Sequence, residues 1–138
     1  AANGCVCTLL IGAGTCERLR VDNTGLYVNN VLASSSSPVS AGLTAAGTNQ
    51  GTALTLTNII NNVTTVAAST GVIFTAPTGG TRIIIRNGGA NSLSVYPNSG
   101  AQINALAANA AFTLAVGSIL EFVAFSATQW YTLNSTYA

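Results

Sequence analysis

The sequence predicts an all-β fold, an antiparallel β-sandwich of jelly-roll-like type with an N-terminal arm and almost no helix. Three observations carry that expectation. Short apolar or alternating runs recur through residues 71–133 at roughly the 8–12-residue spacing of sandwich or barrel strands. Each run closes at Gly, Pro, Asn or Ser, residues that turn a backbone at little cost. The β-branched residues between Ala53 and Val66 disfavour helix and suit a pleated, half-buried surface.

Taken in order, residues 1–31 form a composition zone of their own, with all three cysteines and four of the seven charged residues. Leu9-Leu10-Ile11 reads as a short buried strand. Glu17 to Val21 alternates charged and apolar residues, with Leu19 and Val21 on one face, as a half-exposed strand does. Leu26-Tyr27-Val28 follows the Asn23-Thr24-Gly25 turn. The zone reads equally as an arm that docks on a neighbouring subunit and as edge strands of a single domain. Residues 32–52, rich in Ser, Ala, Gly and Thr, lack apolar periodicity and read as a linker or surface crossing. A β-sandwich domain then fills residues 53–138.

Within that domain, Ala53 to Thr57 places Leu54 and Leu56 on one face, Asn58 to Asn62 punctuates, and Val63 to Val66 resumes a strand. Val72-Ile73-Phe74 stops at Ala76-Pro77. Arg82 to Arg86 sets Ile83 and Ile85 against Arg82, Ile84 and Arg86. The Gly-rich loop Asn87–Asn91 predicts a hairpin into Leu93–Tyr96. Gln102 to Asn104 is a short strand, and Leu106 to Ala110 a small-residue loop. Phe112, Leu114 and Val116 alternate; Gly117-Ser118 turns into Ile119–Phe125. There Glu121, the lone acid, implies a face that is solvent-exposed or paired with an arginine. Gln129 to Leu133 closes the domain.

The chain has 138 residues, enough for one domain to bury a real core. Its hydrophobic fraction of 49% is ordinary, but only 5% of its residues are charged, against about a quarter in a typical domain. Those residues are Glu17, Arg18, Arg20, Asp22, Arg82, Arg86 and Glu121; the chain has no Lys, His or Met. A surface made polar by Asn, Thr, Ser and Gln packs readily against other protein and has little charge repulsion to hold copies apart. This favours a subunit of an assembly. The net charge of +1 leaves no electrostatic footprint for nucleic acid or an anionic membrane. The most membrane-like window, Ile103 to Leu120, is interrupted by Asn104, Asn109, Thr113, Gly117 and Ser118. AANGCVC has neither the basic region nor the apolar run of a signal peptide, so synthesis in the cytoplasm without an export signal is expected.

The candidate chemistries are thin. Leu9-Leu10-Ile11-Gly12-Ala13-Gly14 resembles the start of a dinucleotide fingerprint, but Glu17 stands at the third glycine position and no βαβ pattern follows. Cys5, Cys7 and Cys16 fall one ligand short of a closed zinc site in a chain without histidine. Reduced thiols are the default in a cytoplasmic product, although an odd count also fits an intersubunit disulfide. A histidine-assisted Ser or Cys nucleophile is excluded within the chain. A glycosidase pair would have to come from Glu17, Asp22 and Glu121, two of which lie in the N-terminal zone. Trp130, Tyr96, Tyr131 and Phe112 suggest a carbohydrate platform less readily than core or interface residues. The expectation is a non-enzyme with no cofactor and no metal.

From Leu54 through Tyr131 the sequence resembles a β-domain of tailed-bacteriophage virion proteins, carried by TGVIFTAPTGGTRIIIRNGGANSLSVYPNSGAQINALAANAAF and the closing FVAFSATQWY. Small head-decoration (cement) proteins and modules of tail fibres contain such domains. The resemblance implies a virion structural role on the capsid exterior, with trimers the commonest state and the major capsid protein as partner. On that reading Leu9, Leu10, Ile11, Arg18 and Arg20 are candidate capsid contacts, and Arg82, Ile84, Arg86, Phe125, Trp130 and Tyr131 candidate oligomer contacts. The alternative is a tail-fibre, spike or host-receptor module that binds carbohydrate, although fibres usually carry long repeats or coiled coils that this chain lacks.

Overall fold

A computed structural model describes residues 7–10, 18–22, 25–28, 31–32 and 37–133, all of them strand, turn or loop. The all-β expectation holds. The chain divides into two compact units, residues 1–37 and 38–138.

The first unit is an antiparallel meander of β1 (Cys7–Leu10), β2 (Arg18–Asp22), β3 (Gly25–Val28) and β4 (Val31–Leu32), paired in that order. Leu9 lies opposite Leu19, Leu10 opposite Arg18, and Val21 opposite Leu26. β2 ends at Asp22 and β3 begins at Gly25.

The second unit winds between two sheets. Its strands are β5 (Val39–Thr44), β6 (Leu54–Leu56), β7 (Ile60–Thr65), β8 (Gly71–Phe74), β9 (Arg82–Asn87), β10 (Leu93–Tyr96), β11 (Gln102–Ile103), β12 (Phe112–Leu114), β13 (Ile119–Ser126) and β14 (Gln129–Leu133). Successive strands from β5 to β10 alternate between a six-stranded sheet, ordered β11-β14-β13-β9-β7-β5, and a four-stranded sheet, ordered β12-β10-β8-β6. Each coil therefore stacks on the one before it, and the stacked strands are parallel. Register partners in neighbouring coils lie 18 to 24 residues apart in sequence. After β10 the winding gives way to antiparallel pairing of β12 with β10, β13 with β9, and β14 with β13, while β11 pairs in parallel with β14.

This corrects the expectation of an antiparallel, jelly-roll-like sandwich, because five of the eight strand pairings in residues 38–133 are parallel. The predicted hairpin between Arg82–Arg86 and Leu93–Tyr96 is also overturned, since β9 and β10 belong to different sheets. The physical reason lies in the loop. A hairpin needs its backbone groups to pair across the turn, but here they bond to neighbouring coils. Gly88 N–H donates to Val63 O at 2.8 Å, Asn87 N–H to Ser118 O at 2.9 Å, and Gly117 N–H to Asn87 O at 2.8 Å. The Asn87 side chain, fully buried, donates to Asn91 O (2.9 Å) and Leu114 O (3.0 Å) and accepts from Gly89 N–H (3.0 Å). The loop is a corner. Gly89 is required there because a Cβ would stand 2.6 Å from the Val66 side chain. The hairpin that does form, β13–β14, turns on Ala127-Thr128, which carry no strong turn signal.

Two further boundaries shift. β5 lies inside the stretch expected to be a linker. Its weak strand sequence is held by polar side chains of the next coil: Asn58 Nδ2 donates to Ser40 Oγ (2.8 Å) and Asn62 Nδ2 to Ala41 O (3.0 Å). Asn61 and Asn62, expected as punctuation, accordingly sit within β7.

The core fills the space between the two sheets. Val63, Ile83, Ile85, Phe122, Ala124 and Trp130 face it from the larger sheet, and Leu56, Val72, Phe74, Leu93, Val95 and Leu114 from the smaller. Phe74 is its centre, with ring centroids 4.4 Å from Trp130 and 5.1 Å from Phe122. The indole Nε1–H of Trp130 donates to Asn98 Oδ1 at 2.8 Å, and Asn98 Nδ2 donates onward to Ala127 O at 3.0 Å. Burying an indole without that acceptor would leave a polar group unmatched in a dry core.

Trp130 is the chain's one tryptophan, so its fluorescence reads this core directly. Native emission is expected at the short wavelength of a dry indole, moving to longer wavelength on denaturation. Asn98→Ala should lower stability by about 1–3 kcal/mol, the cost of an orphaned buried donor. Trp130→Ala should lower it by about 3–5 kcal/mol. Urea titration followed by circular dichroism checks both, and native emission already at the wavelength of indole in water would contradict the assignment.

Candidate functional site

Side chains alternate across a strand, so each inward core residue of the six-stranded sheet has outward neighbours. Register sets those neighbours side by side. Arg82 stands opposite Val123, Ile84 opposite Glu121, and Arg86 opposite Ile119. Across the next pairing Val123 meets Tyr131 and Glu121 meets Leu133. On the other side Ile84 meets Ile60, and Ile60 meets Val39. The outer face is thus a mainly apolar band running from Leu133 and Tyr131 to Val39. Phe125 is 71% exposed, Ile119 65%, Val39 56% and Leu133 53%.

Phe125 owes its position to a β-bulge. Ala124 pairs with Trp130 and Ser126 with Gln129, so Phe125 is the extra residue between them. Its ring meets that of Tyr131 edge-to-face, with centroids 5.0 Å apart and planes at 87°. Beside it Gly79, Gly80, Val123 and Ala124 line a shallow recess of about 260 Å³. Gly80 adopts φ 84°, and its N–H donates to Ala124 O at 2.8 Å, which pins the recess wall to β13.

The charges on this face are few and mostly neutralised. Arg82 Nε donates to the Glu121 carboxylate, as the sequence anticipates for a lone acid on that strand. This hydrogen bond, helped by the guanidinium charge, holds the Glu121 carboxyl below the usual carboxylate range and raises Arg82. Arg86 Nη1 donates to Asn62 Oδ1 at 3.0 Å.

Of the sequence-predicted oligomer contacts, Arg82, Ile84, Arg86, Phe125 and Tyr131 come together on this face. Trp130 does not. It is fully buried, and as the immediate neighbour of outward Tyr131 it must point to the opposite side of the sheet. Ile119, Val123, Leu133, Ile60 and Val39 were missed; strand alternation through Phe125 and Tyr131 marks the first three, whereas Ile60 and Val39 join only through parallel coil stacking. Among the predicted capsid contacts, Leu9 and Leu10 lie in β1 and Arg18 and Arg20 in β2. Ile11, like Cys5 and Cys16, falls outside the described residues. Among the described residues no three His, Cys, Asp or Glu gather where they could hold a metal ion, and no helix is long and apolar enough to cross a membrane.

No protein-family model matches the chain, and neither a curated protein nor a solved structure was found to match it.

The Glu121 shift has a pH signature. A carboxyl with a lowered folded-state pKa contributes stability that is present above its unfolded-state value and is lost as pH falls through the folded value. Arg82→Ala should return the Glu121 titration to the ordinary range and flatten the acid limb of the stability curve that this pair produces. The effect should be small and salt-sensitive, as for an exposed ion pair. Carboxyl chemical shifts followed through an acid titration check it; an unchanged Glu121 midpoint in the variant would contradict the pairing.

Proposed function

We propose that the chain is a structural subunit of a virus particle: a capsid-decorating, or cement, protein that acts by adhesion. It self-associates, in a trimer, through the outer face of the six-stranded sheet. Its N-terminal unit binds the outer surface of the shell formed by the major capsid protein. The virion setting rests on the resemblance over residues 54–131. The observation that carries the assembly role is the outer face itself, where Phe125, Ile119, Leu133 and Val39 are each more than half exposed. Covering one such side chain stabilises an interface by about 1.5–3 kcal/mol at most, set against the lost freedom of association. An exposed apolar band of this kind marks a contact surface in a protein that otherwise stays in solution.

The sparse charge supports the same reading. Arg82 and Glu121 already neutralise each other within one subunit, so covering them strips water from a pair and not from isolated ions. A second reading, a fibre or receptor-binding module with carbohydrate as ligand, draws on the exposed Phe125–Tyr131 rings beside their recess. Decoration is favoured because the apolar band extends far beyond those two rings, across to Ile60 and Val39.

Phe125→Ser combined with Ile119→Ser should convert the oligomer to monomer, seen by light scattering, while the melting of the monomer changes little. A parent chain that is already monomeric at high micromolar concentration would defeat the self-association half. Arg18→Glu with Arg20→Glu should leave the oligomer intact and weaken binding to stripped capsids. On purified particles, labelled protein should appear in many copies over the head; few copies at one tail site would favour the fibre reading.

A further inference from the structure

We infer that Asn87-Gly88 is a latent deamidation site, blocked by the folded corner and destructive to that corner once it reacts. An asparagine followed by glycine is open to attack on its own side chain, because glycine has no Cβ to crowd the attacking nitrogen. In that step the Gly88 nitrogen bonds to Asn87 Cγ and gives up its proton to solvent, and the side-chain nitrogen leaves as ammonia. Water then adds to one of the two carbonyls of the resulting succinimide and opens it to aspartate or isoaspartate. No oxidant or reductant is needed.

The folded corner opposes each requirement. The attacking nitrogen is engaged, since Gly88 N–H donates to Val63 O at 2.8 Å. The Cγ it must reach is fixed by three hydrogen bonds, from Nδ2 to Asn91 O and Leu114 O and to Oδ1 from Gly89 N–H. The backbone on either side of the Asn87 Cα is tied to Ser118 and Gly117. Asn87 is fully buried, so the water needed for ring opening is kept away.

The product does not fit the same place. An aspartate has no N–H to donate to Asn91 O and Leu114 O, and sets a carboxylate oxygen against two carbonyls in a site without solvent. Isoaspartate also lengthens the backbone at the point where β9 leaves the sheet. Time spent unfolded is therefore recorded irreversibly at this position, whereas the folded chain is preserved.

The test keeps full-length protein at mildly alkaline pH, in buffer and in guanidinium chloride, and follows conversion by peptide mass mapping. Site resolution is needed because Asn3-Gly4 carries the same dipeptide. Conversion at Asn87 should be slower in buffer by at least about a thousandfold, following the unfolded fraction of a stable domain. On removal of denaturant, unconverted molecules should regain native Trp130 emission and converted ones should not. Equal conversion in buffer and denaturant would overturn the inference. So would Asn87→Asp protein that melts like the parent, or undiminished conversion in denatured Gly88→Ala, whose methyl group crowds the attacking nitrogen.

Discussion

The winding of the second unit depends on one buried amide. Asn87 ends β9 at the point where the chain must leave the six-stranded sheet for the four-stranded one, and its side chain lies inside the protein, in step with Ile83 and Ile85. Both backbone groups and both side-chain polar atoms are bonded, to Ser118, Gly117, Gly89, Asn91 and Leu114. These partners come from the corner itself, from β12 and from the turn before β13. One residue thus ties the last parallel coil to the antiparallel strands that close the stack. An apolar residue of similar size would fill the space but leave Leu114 O and Asn91 O unmatched, which costs more than the missing bonds alone suggest. Neighbouring Asn91 extends the pattern by donating to Val66 O at 2.8 Å, the corner of the preceding coil.

That use of asparagine explains why the strands could be read from sequence and their pairing could not. Period-two patterning identifies Ile83 and Ile85 as inward and Arg82 and Arg86 as outward, as found. It also contains the information that Tyr131 and Trp130 face opposite sides, so placing both at an interface conflicts with the strand's own geometry. Pairing direction is different. A Gly- and Asn-rich loop is equally suitable for a hairpin and for a corner, because both need tight backbone and polar side chains that bond locally. What separates them is where the loop's N–H and C=O groups go, and here they go to residues 25 to 31 positions away, such as Val63 and Ser118. Local sequence carries no mark of that destination. β5 was hidden for a related reason, since the side chains that hold it belong to the next coil, Asn58 just before β7 and Asn62 within it.

The candidate face was partly legible on the same terms. Glu121 as the lone acid on its strand implied a face either exposed to solvent or paired with an arginine, and Arg82 is its partner. Phe125 and Tyr131 were both candidate oligomer contacts, but their edge-to-face contact depends on the bulge between Ala124 and Ser126. In an unbulged ladder Phe125 would stand opposite Gln129 in strict register with β14; the bulge instead leaves it unpaired beside Tyr131. Ile60 and Val39 reach the same band only because β5, β7 and β9 stack in parallel.

The scarcity of charge in the sequence and the use of amides in the structure are two sides of one solution. Stacked coils bring corners repeatedly against one another, and each corner buries backbone groups that must be matched. A charged side chain could match them only by bringing an ion into a dry site, at a cost that an amide avoids. Asparagine offers a donor and an acceptor at one position, which suits a corner where a carbonyl and an N–H must both be met. Asn87 and Asn98 serve in this way inside the protein, while Asn62 does so along the β5 edge, donating to Ala41 O and accepting from Arg86. A fold built on neutral amides leaves its outer sheet face with few ions as well. There, Arg82 and Glu121 cancel each other, and the side chains around them are mainly apolar.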